Sequence, residues 1–168
     1  MSRKLLLMRH AKSSWDDNSM GDRNRQLNDR GERVAPLMGE FLKNQGFEPD
    51  FVWCSTAART MQTLDLMLPS WNQPPVVETS DKLYLAPHNI ILSILHRTPA
   101  EFKKVMVVGH NPGMQNLVGK LSREYHSVPT AAAALFELID DASFAELDES
   151  NVRLVSIWLP KKVGVDVS

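Results

Sequence analysis

The chain has 168 residues, of which 43% are hydrophobic, and a formal net charge of −1. This length suits one domain with a proper core, since a domain usually contains about 100 to 200 residues, and we expect residues 1–168 to form a single domain. The balanced charge argues against nucleic acid as a partner, because nucleic-acid-binding domains usually carry a basic face.

The apolar residues show no sign of export or membrane insertion. The run before Arg9 is too short for the hydrophobic region of a signal peptide, and no stretch approaches the ~18 apolar residues of a membrane span. Cys54 is the sole cysteine, which excludes an internal disulfide and a cysteine-based zinc site, and we expect it in the core. We therefore predict a cytoplasmic protein that does not associate with membranes.

Strand-like and helix-like segments alternate along the chain. The first strand ends at Arg9 and His10, a polar loop follows over 11–28, and Asn28 caps a helix in which Pro36 should produce a kink. We then predict, in order, a strand at 51–54, a helix at 57–68 capped by Ser55, a short strand near 76–78, a helix from about Pro87, a strand at 104–108, a helix at 112–121, and strands near 132–139 and 152–159. This order predicts an α/β sandwich with a mainly parallel sheet.

Two of these strands end in a histidine. His10 follows the apolar run 5–8 directly after Arg9, and His110 follows the run 105–108 and Gly109. Open α/β sheets bind ligands at the carboxyl ends of their strands, so we expect the two histidines to lie at one site. Two further arginines stand beside predicted helix starts, which makes the candidate set Arg9, His10, Arg25, Arg59 and His110.

These residue types suit phosphoryl transfer. Catalysis of that reaction is mostly positioning and charge neutralisation, and the planar fork of arginine binds phosphate oxygens bidentately. A neutral imidazole can attack phosphorus to form a phosphohistidine intermediate that water later hydrolyses. We predict that His10 is this nucleophile, and we expect no metal and no other cofactor.

Four segments together resemble the histidine phosphatase superfamily, and within it the small SixA-type phosphohistidine phosphatases: LLLMRHAKSSW, RQLNDRGERVAPLMGEFL, CSTAARTMQT and VVGHNPGMQNLV. The match runs in order from about residue 4 to about 160. Ala11 replaces the glycine that most of the superfamily has after Arg-His, as is common in the SixA-like branch.

The resemblance implies a fold and a set of roles. The fold is a three-layer sandwich with a mainly parallel, about six-stranded sheet, similar to phosphoglycerate mutase, with a minimal cap. Arg9, Arg25 and Arg59 would bind the phosphate, and His110 would hydrogen-bond a phosphate oxygen. The implied substrate is phosphohistidine carried by a phosphotransfer protein.

A general acid is hard to find in the sequence. Many members of the superfamily carry a carboxylic acid after the third strand or beside the second histidine, but Asn111 follows His110 here and no carboxylate lies between Asp81 and Glu101. Asp81 is the one nearby candidate, as a weak acid. An alkoxide needs strong help from an acid to leave, whereas an imidazole does not, so this absence favours a phosphoramidate substrate.

Two other functions stay open. The first is a small-molecule phosphatase or mutase of the same superfamily, acting on a small phosphorylated substrate. The second is a binding module that holds phosphate without turnover. The missing acid and cap disfavour the first, and the presence of two imidazoles disfavours the second. Residues Lys12 to Trp15 are candidates for the rim of the pocket, and the acidic segment 140–149 is expected to be a solvated hairpin connection.

Overall fold

A six-stranded sheet with two helices on each face organises the chain. The computed structural model describes residues 2–15 and 21–168. Its main elements are β1 (Lys4–Arg9), α1 (Asp29–Asn44), β2 (Phe51–Ser55), α2 (Ala58–Met67), β3 (Val76–Ser80), α3 (His88–Leu95), β4 (Lys104–Gly109), α4 (Gly113–Ser122), β5 (Ala133–Leu138) and β6 (Val152–Trp158). Within the described ranges no helix is long and apolar enough to cross a membrane.

The sheet has the strand order β3-β2-β4-β1-β5-β6. The first four strands in this order are parallel, while β5 is antiparallel to both β1 and β6. The predicted α/β sandwich is therefore confirmed, with a mixed sheet in which the parallel part holds the central strands. Burial on both faces explains why β1 and β4 are almost wholly apolar.

Alternate residues of the central strands point into two separate cores. Leu5 and Leu7 belong to a cluster with residues of α3 and α4. Leu6 and Met8 belong to a second cluster with residues of α1 and α2. Since side chains alternate between the two faces of a strand, one four-residue apolar run contributes to both layers of packing.

Helix α1 begins as predicted, with the Asn28 side chain accepting a hydrogen bond from the backbone N–H of Gly31 at 2.9 Å. The helix continues through Pro36 without interruption up to Asn44, and Gly46 follows with a φ of +80°, a conformation that suits glycine. The start of this helix packs against the loop that follows His10. The backbone N–H of Asn28 donates to the Lys12 carbonyl at 3.0 Å.

The prediction that Ser55 caps the second helix is wrong. Strand β2 continues through Ser55, which pairs in register with Ser80 of β3, and α2 begins only at Ala58. The Ser55 hydroxyl accepts a hydrogen bond from the N–H of Ala57, so the side chain forms a turn before the helix. Arg59 still lies in the first turn of α2, as predicted.

The acidic segment 140–149 joins the antiparallel strands β5 and β6. It is not wholly solvated, because Phe144 and Leu147 are buried in the core that α3 and α4 share. Ser143 and Glu146 form a capping box at a short 3-10 helix between them. The connection is thus a surface hairpin anchored by apolar side chains, with Ala142 buried in the same core.

Replacing Gly31 by alanine should destabilise the fold. A β-carbon at this position would lie 2.1 Å from the carbonyl oxygen of Lys12, which is backbone and has little freedom to move. We expect Gly31→Ala to lower the free energy of unfolding by about 1 to 3 kcal/mol, as overpacking usually does. Chemical denaturation measures this change.

Gly119→Ala is the matched control within α4. A β-carbon there would meet no atom closer than 3.6 Å. Because alanine favours helix over glycine by about 1 kcal/mol, this variant should be as stable as the wild type or more stable. Equal stabilities of the two variants would contradict the close approach of α1 to the loop after His10.

Candidate active site

The pairing of β1 with β4 brings the two histidines together. Arg9 is opposite Gly109 in the parallel register, so His10 and His110 leave neighbouring strands at the same edge of the sheet. The backbone N–H of His10 donates to the Gly109 carbonyl at 3.1 Å. The two imidazole ring centroids are 5.4 Å apart.

A cavity of about 260 Å³ opens at this edge. It is lined by all five residues of the predicted set together with others: Arg9, His10, Lys12, Ser13, Trp15, Asp22, Arg25, Arg59, Leu85, His110, Asn111 and Thr130. Lys12, Ser13 and Trp15 thus lie at the pocket, as the sequence suggested. The predicted constellation is therefore a spatial cluster.

The His10 ring is held in one orientation and kept neutral. Its Nδ1 lies 2.7 Å from the Ala11 carbonyl oxygen, which can only accept, so Nδ1 carries the proton and Nε2 carries the lone pair. Burial lowers the pKa of His10 to about 3, and the charges of Arg59 and Arg9 act in the same direction. The imidazole is consequently uncharged at neutral pH, which is the state in which a histidine can act as a nucleophile.

His110 is also buried and neutral. Burial and the charge of Arg59 lower its pKa to about 3. Its Nε2 lies 2.8 Å from the hydroxyl oxygen of Ser55, and its Nδ1 has no hydrogen-bond partner among the described residues. The ring of Tyr84 packs edge-on against the imidazole with centroids 5.5 Å apart. If the Ser55 hydroxyl donates to Nε2, the ring proton is on Nδ1.

Three arginines surround the histidines. Arg59 and Arg25 are buried, and Arg9 is half-buried. Burial, together with the charge of Arg59, lowers the pKa of Arg9. Arg25 donates to the Ser13 hydroxyl and stacks on Trp15, with its guanidinium carbon 3.6 Å from the ring centroid. Within the described ranges the buried Nε atoms of all three arginines lack a hydrogen-bond partner.

Asp22, a residue that the sequence did not single out, is bound to two of these arginines. Arg59 donates to its backbone oxygen at 2.8 Å and to its carboxylate at 3.1 Å, and Arg25 donates to the carboxylate at 3.3 Å. The hydroxyl of Tyr84 donates to the same carboxylate. That bond and the charge of Arg59 lower the pKa of Asp22, so the group is ionised. The three-residue spacing to Arg25 was the one signal in the sequence.

Asp81, the candidate acid, is not among the described residues that line the cavity. Its carboxylate accepts from the Thr56 hydroxyl at 2.6 Å and from Arg23, and its side chain is largely exposed. These hydrogen bonds lower the pKa of Asp81. An ionised carboxylate outside the cavity is poorly placed to donate a proton.

Cys54, the sole cysteine, lies beneath the site without entering it. It is buried in the core on the side of α1 and α2, as expected. Burial raises the pKa of its thiol to about 12. The group is therefore a protonated thiol at neutral pH and no nucleophile.

Comparison with known proteins places this geometry in a family. Residues 5–83 match the model of the histidine phosphatase superfamily (branch 1). An uncharacterized protein of Mycobacterium tuberculosis is 32% identical over 157 residues, which cover 94% of this chain and 93% of the relative. A 2,3-bisphosphoglycerate-dependent phosphoglycerate mutase of Streptomyces avermitilis is 39% identical over 69 residues, or 40% of this chain and 27% of the mutase.

Solved structures give the same result over nearly the whole chain. A protein provisionally described as phosphohistidine phosphatase SixA of Nakamurella multipartitia superposes with a TM-score of 0.83 at 27% identity, covering 95% of this chain and 97% of that one. The protein histidine phosphatase SixA in complex with tungstate superposes with a TM-score of 0.80 at 26% identity, covering 95% and 99%. The predicted phosphoglycerate mutase-like fold is confirmed.

The neutrality of both histidines can be measured by NMR. We expect the ring signals of His10 and His110 to stay constant between about pH 8 and 5, because both pKa values lie near 3. In the urea-unfolded chain the same rings should titrate near pH 6.5. A midpoint near 6.5 for either ring in the folded protein would contradict the buried, neutral site.

The lowered pKa values of His10 and His110 also predict how the stability of the fold depends on pH. Below pH ~6.5 the unfolded chain binds protons that folded His10 and His110 do not bind. Their contribution to stability is therefore fully present above pH ~6.5 and is lost as the pH falls toward about 3. Denaturant titrations at several pH values measure this loss.

Proposed function

This chain belongs to the histidine phosphatase superfamily as a phosphatase of the SixA type, and we propose that it hydrolyses phosphohistidine carried by a protein. The observation that carries the proposal is the state of His10: an uncharged imidazole with its proton on Nδ1, lying among Arg9, Arg25 and Arg59. A phosphoryl group needs both a nucleophile of this kind and cations for its oxygens.

In the proposed mechanism, Nε2 of His10 attacks phosphorus in line with the leaving group. The phosphoryl oxygens take hydrogen bonds from the three arginines and from Nδ1 of His110. Bound charge of this kind is stabilised strongly in a buried site, where donors are already oriented and need not reorganise. Water then cleaves the P–Nε2 bond, which returns the electron pair to His10 and releases inorganic phosphate. No step requires a metal ion or another cofactor.

The substrate class follows from the carboxylates at the site. Asp81 lies outside the cavity, and Asp22 lies at the cavity with a lowered pKa. Neither is therefore set up to protonate an alkoxide leaving group at neutral pH. Phosphohistidine needs no such acid, which favours it over sugar phosphates and other alkyl monoesters. The likeness to the SixA structures supports the same substrate, and the tungstate bound in one of them is an oxyanion of similar shape.

A protein is the proposed carrier because the cavity opens between exposed side chains. Trp15 and Leu85 line it and are both more than 45% exposed. A phosphohistidine on the surface of a folded partner can reach such an opening. The cytoplasmic location and the absence of nucleic acid as a partner stay predictions.

A side-by-side assay tests this function. We expect fast turnover of a phosphohistidine protein and of phosphoramidate, measurable turnover of activated aryl phosphates, and very slow turnover of phosphoserine and sugar phosphates. Asp81→Asn should change the phosphoramidate rate by less than about tenfold, against the ~100 to 10000 fold that a general acid contributes. EDTA should leave every rate unchanged.

The alternatives make different predictions in that assay. Equal rates on alkyl monoesters and phosphohistidine would establish a small-molecule phosphatase. Saturable binding of the phosphohistidine protein without release of phosphate would establish a binding module.

His10→Ala tests the covalent intermediate. Acid-labile radiolabel from a phosphohistidine protein should be trapped on wild-type His10, and the variant should lose both label and turnover. His110→Ala should be milder, with a rate about 100 to 1000 fold below the wild type, as for loss of one charge-stabilising donor. His88→Ala, at the start of α3, is the control and should keep wild-type activity. More than a few per cent of activity in His10→Ala would rule out this nucleophile.

A further inference from the structure

The depth of each residue in the cavity shows where the leaving group must go. His10, Arg59 and His110 form the buried floor, with 5%, 2% and 2% of their surfaces exposed. In-line displacement expels the leaving group on the side of phosphorus opposite the nucleophile. With the proposed nucleophile at the floor, the leaving group departs toward the cavity mouth.

Among the residues that the structure describes, three exposed side chains line that mouth. Trp15 is 64% exposed and Leu85 is 49% exposed, while 42% of the Asp22 side chain is exposed. The described side chains of the mouth therefore present a flat aromatic ring, an apolar side chain and an ionised carboxylate. An imidazole ring has apolar faces and, when protonated, an N–H on each unsubstituted nitrogen, so it matches this set of groups.

The Asp22 carboxylate accepts hydrogen bonds from donors that the phosphoryl group also needs. Arg59 and Arg25 both donate to Asp22 through their Nη atoms. When phosphoryl oxygens take these donors, the carboxylate loses two cationic partners. The Asp22 carboxylate would then lie beside a dianionic phosphoryl group, where a new N–H donor stabilises it. The leaving group is the nearest source of such an N–H.

We propose that Asp22, with Trp15 and Leu85, forms a leaving-group subsite that binds the substrate's imidazole as a protonated ring. This inference rests on the proposed function and deepens it. The phosphorylated nitrogen of the ring faces the floor, and the N–H of its other nitrogen donates to the Asp22 carboxylate. Asp22 thus favours phosphohistidine over monoesters, whose leaving groups have no such N–H.

The step is balanced without a general acid. His10 forms the new bond between Nε2 and phosphorus, and the P–N bond of the substrate breaks with its electron pair returning to the substrate nitrogen. The substrate leaves as a neutral imidazole that keeps the proton on its other nitrogen. His10 becomes the phosphorylated, protonated ring, with its Nδ1–H still donating to Ala11.

Each of the two imidazoles therefore has a hydrogen-bond acceptor at its distal N–H, one on either side of the transferred phosphoryl group. The Ala11 carbonyl accepts the distal N–H of His10 at 2.7 Å, and Asp22 accepts the distal N–H of the substrate ring. Both acceptors stabilise the protonated form of the ring that they contact. Phosphoryl transfer between two such rings needs no proton transfer at the moment of bond breaking.

Asp22→Asn, assayed in the full chain, tests the subsite. The readout is the ratio of kcat/KM for a phosphohistidine peptide to kcat/KM for p-nitrophenyl phosphate, whose leaving group has no N–H. We expect this ratio to fall at least about tenfold, since hydrogen bonds to charged groups contribute more than neutral ones. The basic limb of kcat on the peptide should also shift to lower pH by about one unit, because the carboxylate no longer favours the protonated ring.

Asp81→Asn is the matched control. It removes a second aspartate that is paired with an arginine, but one that is not among the described residues lining the cavity. Its substrate ratio and pH profile should equal those of the wild type. Thermal unfolding of both variants verifies that each is folded.

Several outcomes would overturn the subsite. Equal losses on both substrates would mean that Asp22 only positions Arg59 and Arg25, and equal gains would mean that it only competes with the phosphoryl group. A larger loss on the aryl phosphate would make Asp22 a general acid. Failure of the proposed function looks different, because the wild-type protein would then not release phosphate from the peptide at all.

Discussion

The parallel pairing of β1 with β4 is the constraint on which the site depends. Because Arg9 is opposite Gly109, the next residue of each strand is a histidine, and both histidines leave the sheet at one edge. A shift of this register by one residue would turn the side chains of β1 to the opposite face and separate the rings. Apolar packing on both faces of β1 specifies the register, so the hydrophobic core and the active site are determined by the same pairing.

Charge at the site is balanced by burial. Charged imidazole rings would repel the arginines around them. Burial prevents this repulsion because it lowers the pKa of both rings and keeps them neutral. Asp22 compensates part of the remaining positive charge by binding Arg25 and Arg59. The site is therefore organised around an internal anion, and in the proposed mechanism a phosphoryl group replaces that anion at the same arginines. Preorganised donors of this kind need little rearrangement when charge develops on the substrate.

The open mouth and the proposed chemistry are related. A site that supplies a proton to an alkoxide needs a carboxylic acid with a raised pKa, usually in a dry environment. Asp22, the carboxylate that lines this cavity among the described residues, instead has a lowered pKa and contact with solvent. An imidazole leaving group brings its own proton, so an exposed, ionised carboxylate is compatible with it. The same exposure leaves room for a partner protein to present its phosphohistidine.

The local pattern of the chain was enough to identify most of the fold and much of the site. The apolar runs that end in Arg9-His10 and Gly109-His110 are recognisable as strands whose carboxyl ends lie at the edge where parallel sheets bind ligands. Arg59 is recognisable as a residue of a first helical turn. The positions of these residues can therefore be predicted from their neighbours in the sequence. The mixed sheet, the extension of β2 through Ser55 and the contact of Ser55 with His110 depend on which strands become neighbours. Apart from its three-residue spacing to Arg25, Asp22 joins the site through contacts with Arg59 and Tyr84, which lie 37 and 62 positions away and leave no pattern in the sequence. Tertiary packing brought these distant partners to that carboxylate, because the free energy of an ion pair depends on distance in space and not on separation along the chain.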